Sequence, residues 1–438
     1  MSGSALGELR TSYAGAFDPN WTLADFSRQT LADLGREYLL LGHLIDRVGI
    51  PLLIQRFGEA DQVQFSVDEW MGASPIYSRR MQRALGFEGD GVDTVFKNLQ
   101  LDIGAPPQFM DFQFRLDSPE RGEFWLPHCG ALLDVEPFGE KQVRMMCHDI
   151  EDPTFDATAA ATNPKMRMRP IHRPPRLPKD RIPHCRWSVF IDPEAAPITP
   201  NRNLSVIQDS KIASIPIDVP AKDAEPGGWW DYSGAFAPEL ALEDFGHRAL
   251  LIINQEAAVQ SHLLVRAYLT NLAERHGEDA AHELGVGQWT GSAAVAARRI
   301  MRCLAIEGNG IEAIAKVFQT IPHFQPRSYV DLRVEITGRE SARLSLGDCP
   351  ALAEGDAYSW FAQLGPDSHP ALDAICEAVN PHARCHPVSD PGGARLAWDV
   401  IIDPDAKPQP PPPLLKLARL SRGVDFELKR RRPVRSLN

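Results

Sequence analysis

The stretch Tyr13-Ala-Gly-Ala-Phe17 returns as Tyr232-Ser-Gly-Ala-Phe236, a shift of 219 positions from 13 to 232. Self-similarity at a fixed offset sets the architecture before any single element does. Working outward, the same shift pairs Asp25-Phe26 with Asp244-Phe245, and Glu37, His43 and Arg47 with Glu256, His262 and Arg266. It continues without a gap through Trp70 and Trp289, Arg79-Arg80 and Arg298-Arg299, and Lys97 and Lys316. Small gaps then enter, and Cys129, Asp156, Asn163-Pro164, Trp187 and Asp192 match Cys349, Asp373, Asn380-Pro381, Trp398 and Asp403. The chain reads as copy 1 over 10–195, a linker over 196–227, copy 2 over 228–405 and a Pro-rich, basic tail over 406–438.

Each copy opens with helical periodicity. Apolar residues at Leu31, Leu34, Tyr38, Leu41 and Ile45 lie on one face, which predicts a helix over 31–48. Two more helices are expected over 74–85 and 91–101, with counterparts over 293–304 and 311–321. The period then changes to strand-like alternation in Phe109–Leu116 and Tyr329–Ile336, and each copy closes on a strand, Arg186–Asp192 or Leu396–Asp403. Helices first and strands later indicate an α+β class: a tandem repeat of two homologous domains, each with N-terminal helices followed by a small, mainly antiparallel sheet.

Composition narrows the function. The 438 residues carry a formal net charge of −12, which argues against a general nucleic-acid binder. No stretch approaches the roughly 18 consecutive apolar residues of a membrane span. Met1–Arg10 has no apolar run of a signal peptide, and seven sparse cysteines do not form a disulfide framework, so a cytoplasmic setting is expected. The tail residues Lys429-Arg-Arg-Arg432 and Arg435 read as a solvated end, with an acidic partner as the functional alternative.

Ligand-type residues crowd the second half of copy 1: His128-Cys129, Cys147-His148-Asp149-Ile-Glu151-Asp152, Asp156, His172 and His184-Cys185. Thiolate with imidazole suits zinc or iron, and Cys129, Cys147, His148 and Cys185 are the candidate ligands. A metal-bound water with Asp152 or Glu151 as base is one mechanism. A cysteine nucleophile, Cys147 or Cys185, activated by a neighbouring histidine is another. The plain alternative is that the cysteines are small core hydrophobes. Copy 2 has Leu364-Gly365 and Arg395-Leu396 where copy 1 has Cys147-His148 and His184-Cys185, so any site is expected in copy 1. Cys376, Cys385 and His386 occur in copy 2 only. In the helical half, His43 and Arg47 lie four residues apart on one face and could hold a substrate carboxylate, or else join the two copies.

The order Cys129, Cys147–Asp152, Asn163-Pro-Lys-Met166 and His184-Cys185-Arg-Trp187 resembles the L-2-amino-thiazoline-4-carboxylic acid hydrolase-like family, with a weaker similarity to 4-vinyl reductase domains. Copy 2 keeps that family's Cys-Pro as Cys349-Pro350, where copy 1 has Cys129-Gly130. The resemblance covers about residues 120–190 and implies a hydrolase acting on a C–N or C–S bond of a small molecule; by the two mechanisms above, Cys147, His148, Asp152 and Cys185 are the expected catalytic residues. The reductase-like similarity implies instead a metal-containing binding or sensor module without turnover.

Overall fold

The structure is a computed structural model in which residues 9–432 are described. Copy 1 begins with α1 (Arg28–Phe57), α2 (Gln62–Ala84) and α3 (Val92–Leu99), followed by the hairpin β1 (Gln113–Ser118) and β2 (Arg121–Leu126). Then come α4 (Glu151–Thr162), β3 (Met166–His172) and β4 (Cys185–Ile191). Copy 2 repeats the order with α5 (His247–His276), α6 (Glu278–Cys303), α7 (Ile311–Thr320), β5 (Leu332–Gly338), β6 (Ser341–Leu346), α8 (Pro370–Val379), β7 (Ala383–Pro387) and β8 (Leu396–Ile402). The two four-stranded sheets are antiparallel throughout, ordered β1-β2-β4-β3 and β5-β6-β8-β7. Trp187 pairs across the sheet with Phe124 as Trp398 does with Leu344, so the repeated tryptophans anchor equivalent core positions. The α+β reading and the duplication hold. Among the described residues no helix is long and apolar enough to cross a membrane.

The helices are longer than periodicity predicts, because they pack on the other copy as well as their own. α1 lies along α5 and α6, and α2 along α5. On α1, Gly35, Gly42 and Gly49 recur every seven residues, and each faces its own counterpart in the repeat: Asn254, Ser261 and Tyr268. Equivalent residues that meet along two helices define a pseudo-twofold axis parallel to them. A Cβ on Gly42 would stand 2.8 Å from Ser261 Oγ, and one on Gly49 2.8 Å from the Tyr268 ring, so the close approach requires glycine there.

The remaining repeated residues join the copies in matched pairs. Tyr13 N–H donates to Leu304 O at 2.7 Å and Tyr232 N–H to Leu85 O at 2.8 Å. The Tyr13 hydroxyl meets Gln319, and the Tyr232 hydroxyl Gln100, both at 2.7 Å. Arg80 forms a bidentate pair with Glu256, and Arg299 with Glu37.

The same arginines tie down the segments after each sheet. Arg80 donates to Ala213 O and Ile215 O in the linker, and Arg299 to Gly423 O, Val424 O and Phe426 O in the tail. Linker and tail are thus equivalent arms, each with a serine that caps a short turn, Ser210 or Ser421. The tail arm crosses to copy 1, where Asp134 accepts from Ser421 Oγ at 2.6 Å and Arg422 N at 2.8 Å. Glu354 in copy 2 receives the linker arm through Lys211 N and Ile212 N. The arm is buried at Leu415, Ala418 and Val424, while Lys429–Arg432 are exposed, with Arg430 and Arg431 pairing with Asp33 and Asp111. Arg435 lies outside the described residues.

Candidate functional site

Copy 1 encloses a cavity of about 420 Å³ between α1, α2, α4 and the tail arm. That size suits a small organic molecule. Its wall is mainly apolar, with Ile50, Ile54, Leu99, Phe112 and Phe155 from copy 1 and Leu417 from the arm. Two local departures from regular helix shape it. Pro51 sits within α1 at the wall and removes a helical hydrogen bond. Met145–Ile150 forms a π-helical turn, an arrangement found often at functional sites, and it presents Met145, Met146 and Ile150 to the space. Copy 2 has Thr270 in place of Pro51, and its α5 runs uninterrupted.

Ionisable groups interrupt this wall. Asp46, 5% exposed, has no hydrogen-bond partner for Oδ1, and burial raises its carboxyl while Arg47 holds it back. Behind it lies Glu69, fully buried, pushed well above the usual carboxylate range by burial and by the Asp46 charge. Within this pair the Asp46 charge favours the protonated form of Glu69. Asp102 accepts from the Tyr77 hydroxyl at 3.0 Å and Gly104 N–H at 2.7 Å, and burial raises it to about 6. Glu151 is raised to about 8 by burial, with Arg173 opposing. His43 is buried beside Arg47, whose Nη2 stands 3.2 Å from His43 Nε2, and burial with that cation drives it well below its usual value. His43 and Arg47 thus line the cavity, as the helix spacing suggested.

The three cysteines of copy 1 converge. Cys129, Cys147 and Cys185 are buried within electrostatic reach of one another and of Glu151. Burial raises Cys129 to about 12 and the other two well above the ordinary thiol value, so all three are neutral thiols. The other predicted members do not join them. His148 Nε2 turns to Pro174 O at 2.6 Å, and Asp152 is paired with Arg173. Cys129 Sγ is used to cap the short helix at Gly130–Val135, accepting from Leu132 N. Among the described residues no group of three or more His, Cys, Asp or Glu is arranged to hold a metal ion. His148 and Asp152, expected beside those thiols, are thus engaged elsewhere. The adjacent-residue pattern misled because His148 and Cys147, as neighbours on one helical turn, point in different directions.

Copy 2 fills the equivalent volume. Trp289, the counterpart of Trp70, stacks on Trp360 at 5.6 Å and 4°. Trp360 also stacks on His323 at 4.9 Å and donates to Gln288, the residue matching Glu69. Phe361 lies 5.8 Å from His262, the match for His43. Trp360 and Phe361 are each 1% exposed. Asp46, Glu69, Asp102 and Glu151 are replaced by Val265, Gln288, Ile321 and Ser368. The last pairing is anchored by Asp156, which accepts from Met168 N as Asp373 does from Cys385 N. Arg266 keeps the place of Arg47 but is taken up by Asp356.

The cavity carboxyls are the functional candidates that the Cys/His pattern did not reveal. Their signal lay in the repeat itself: acids on the apolar faces of α1 and α2 that the second copy replaces with neutral residues. No protein-family model, curated protein or solved structure matches the chain.

Proposed function

We propose that copy 1 is the working half of the chain, a domain that encloses a small, largely apolar molecule and acts on it by carboxyl acid–base chemistry. The observation that carries this reading is the contrast between a carboxyl-bearing cavity in copy 1 and an aromatic plug at the same place in copy 2. Hydrolysis of a C–N or C–S bond is the reaction class that the resemblance to the hydrolase-like family favours. Glu151, protonated at neutral pH with a pKa near 8, serves as the acid that protonates a leaving nitrogen or sulfur. Asp102, near 6, is ionised and takes the proton of an attacking water. Arg47 and His43 stand in the wall beside Asp46. The thiols of Cys147 and Cys185 form the wall behind Glu151, and His148 and Asp152 take no part.

The test is turnover of cavity-sized aryl amides and aryl thioesters. Glu151→Gln should lower the rate by about 10²–10⁴, and Cys147→Ser should leave it within about threefold. The reverse ranking would return the chemistry to the cysteine. A second reading, a binding or sensor module, has one observation in its favour: the chain's own arm, through Leu417, Leu420 and Ser421, forms part of the cavity wall. Saturable binding of these compounds without turnover would select it.

A further inference from the structure

We infer that the molecule held in copy 1 carries a positively charged nitrogen, an ammonium or amidinium group on a small apolar body. This rests on reading the cavity as a ligand site and names the class of ligand. Among the described residues that line the space, the acids are Asp46, Glu59, Asp102, Asp134 and Glu151, and the one permanent cation is Arg47. Two of the acids are spoken for. Glu59 pairs with Lys141 at the surface, and Asp134 is capped by Ser421 Oγ and Arg422 N. Arg47 acts on the Asp46–Glu69 pair through its charge, although among the described residues its buried Nε has no hydrogen-bond partner. A ligand carboxylate drawn to Arg47 would also face Asp46.

Asp102 is different. Its hydrogen bonds come from a hydroxyl and a backbone amide, both neutral, and it is 4% exposed. A buried carboxylate without a cation is costly unless something positive joins it. Nearby wall groups include unpartnered acceptors as well as the unpartnered Arg47 Nε, His43 Nδ1 and Ser74 Oγ. Asp46 Oδ1 and Gln62 Oε1 are buried acceptors without a partner, on residues 5% and 7% exposed. Aromatic faces complete the match, since Trp70, Tyr77, Phe112 and Phe155 line the space and a desolvated cation is attracted to such faces.

Copy 2 supplies the control within the same chain. Where the space is filled by Trp360, each acid is neutral: Val265, Ile321 and Ser368 replace Asp46, Asp102 and Glu151. Arg266 is retained there and satisfied by Asp356. The fold thus keeps the arginine with or without a cavity, while the acids accompany the cavity.

The experiment is calorimetric titration of the full chain at neutral pH with phenylbutylamine, phenylbutanol and phenylbutyrate, matched in size and differing in charge. The amine should bind about tenfold or more tightly than the alcohol, and the acid least. Asp102→Asn should remove most of that advantage and leave the alcohol's affinity unchanged. Asp46→Asn serves as a second variant, expected to reduce the advantage by less, with thermal unfolding confirming that both are folded. Alcohol or acid binding as tightly as the amine, or an advantage that survives both variants, overturns the charge assignment while the cavity reading stands. Failure of all three probes to bind overturns both.

Discussion

At the level of His43 and His262 the two halves of this chain share a scaffold and differ in what they enclose. In copy 1, Trp70 borders open space and four carboxyls stand around or behind it; in copy 2, Trp289 is covered by Trp360 and the acids are gone. What stays constant is the apparatus that joins the copies: the Tyr13 and Tyr232 segments, the Arg80–Glu256 and Arg299–Glu37 pairs, and the arms. The lesson is a division of labour. A fused pseudo-dimer can fill one of its two equivalent volumes with aromatic side chains and spend that core on stability, while the other keeps strained and charged groups. Copy 1 carries the destabilising features, namely a proline inside α1, a π-helical turn and unpartnered buried acid, and copy 2 braces it through α5 and α6.

The largest expected effects fall on the shared joints. Arg299→Ala leaves Glu37 buried without its partner and releases three arm carbonyls, so it should cost about 3–5 kcal/mol in denaturant unfolding, and Arg80→Ala the same. Unequal losses, with Arg299→Ala near zero, would break the equivalence of linker and tail. Next comes the plug. Trp360→Ala should cost about 3–5 kcal/mol, as for other fully buried aromatic residues, and Trp70→Ala less than half as much because one side of that ring already borders a void. Equal costs would mean that copy 1 is packed as tightly as copy 2.

A smaller effect separates the copies by pH. Glu151 has its carboxyl raised from 4.5 to about 8 in the folded chain, so the folded state holds the proton more firmly than the unfolded one. Its contribution is fully present below about pH 4.5 and is lost as the pH rises toward 8. Glu151→Gln should flatten the stability profile between those limits, whereas Ser368→Ala at the matching place in copy 2 should leave it unchanged. An unaltered profile in Glu151→Gln would show that the group is not shielded from water.

The duplication, the α+β class and the helix-then-sheet order were legible in the sequence because repeated rare residues and hydrophobic periodicity report directly on burial. Cys129 and Cys185 lie near one end of the sheet, where Leu126 pairs with Cys185, whereas Cys147 comes from the π-helical turn. The side chains of His148 and Asp152 are fixed by Pro174 O and Arg173, partners 26 and 21 residues away that no local pattern reveals. The docking of the arms was hidden for a similar reason: carbonyl groups, not side chains, meet Arg80 and Arg299, and a Pro-rich, charged stretch looks solvated unless its acceptor is known. Asp46, Asp102 and Glu151 come from three distant segments and match no motif, and only comparison of one copy with the other marks them out.

The central claim, that copy 1 and not copy 2 keeps an apolar cavity beside the repeated tryptophan, is tested most directly by the stoichiometry of a neutral apolar probe. Equilibrium titration with the fluorogenic N-phenyl-naphthylamine should give one bound molecule per chain. Ser74→Trp, which places a ring into the copy 1 space, should abolish that binding with little loss of stability, because a void receives the added volume. Ala293→Trp at the matching position in copy 2 should instead destabilise an already filled core and, in the fraction that remains folded, leave the single site intact. Two molecules per chain, or binding that persists in Ser74→Trp and vanishes in Ala293→Trp, would contradict the account.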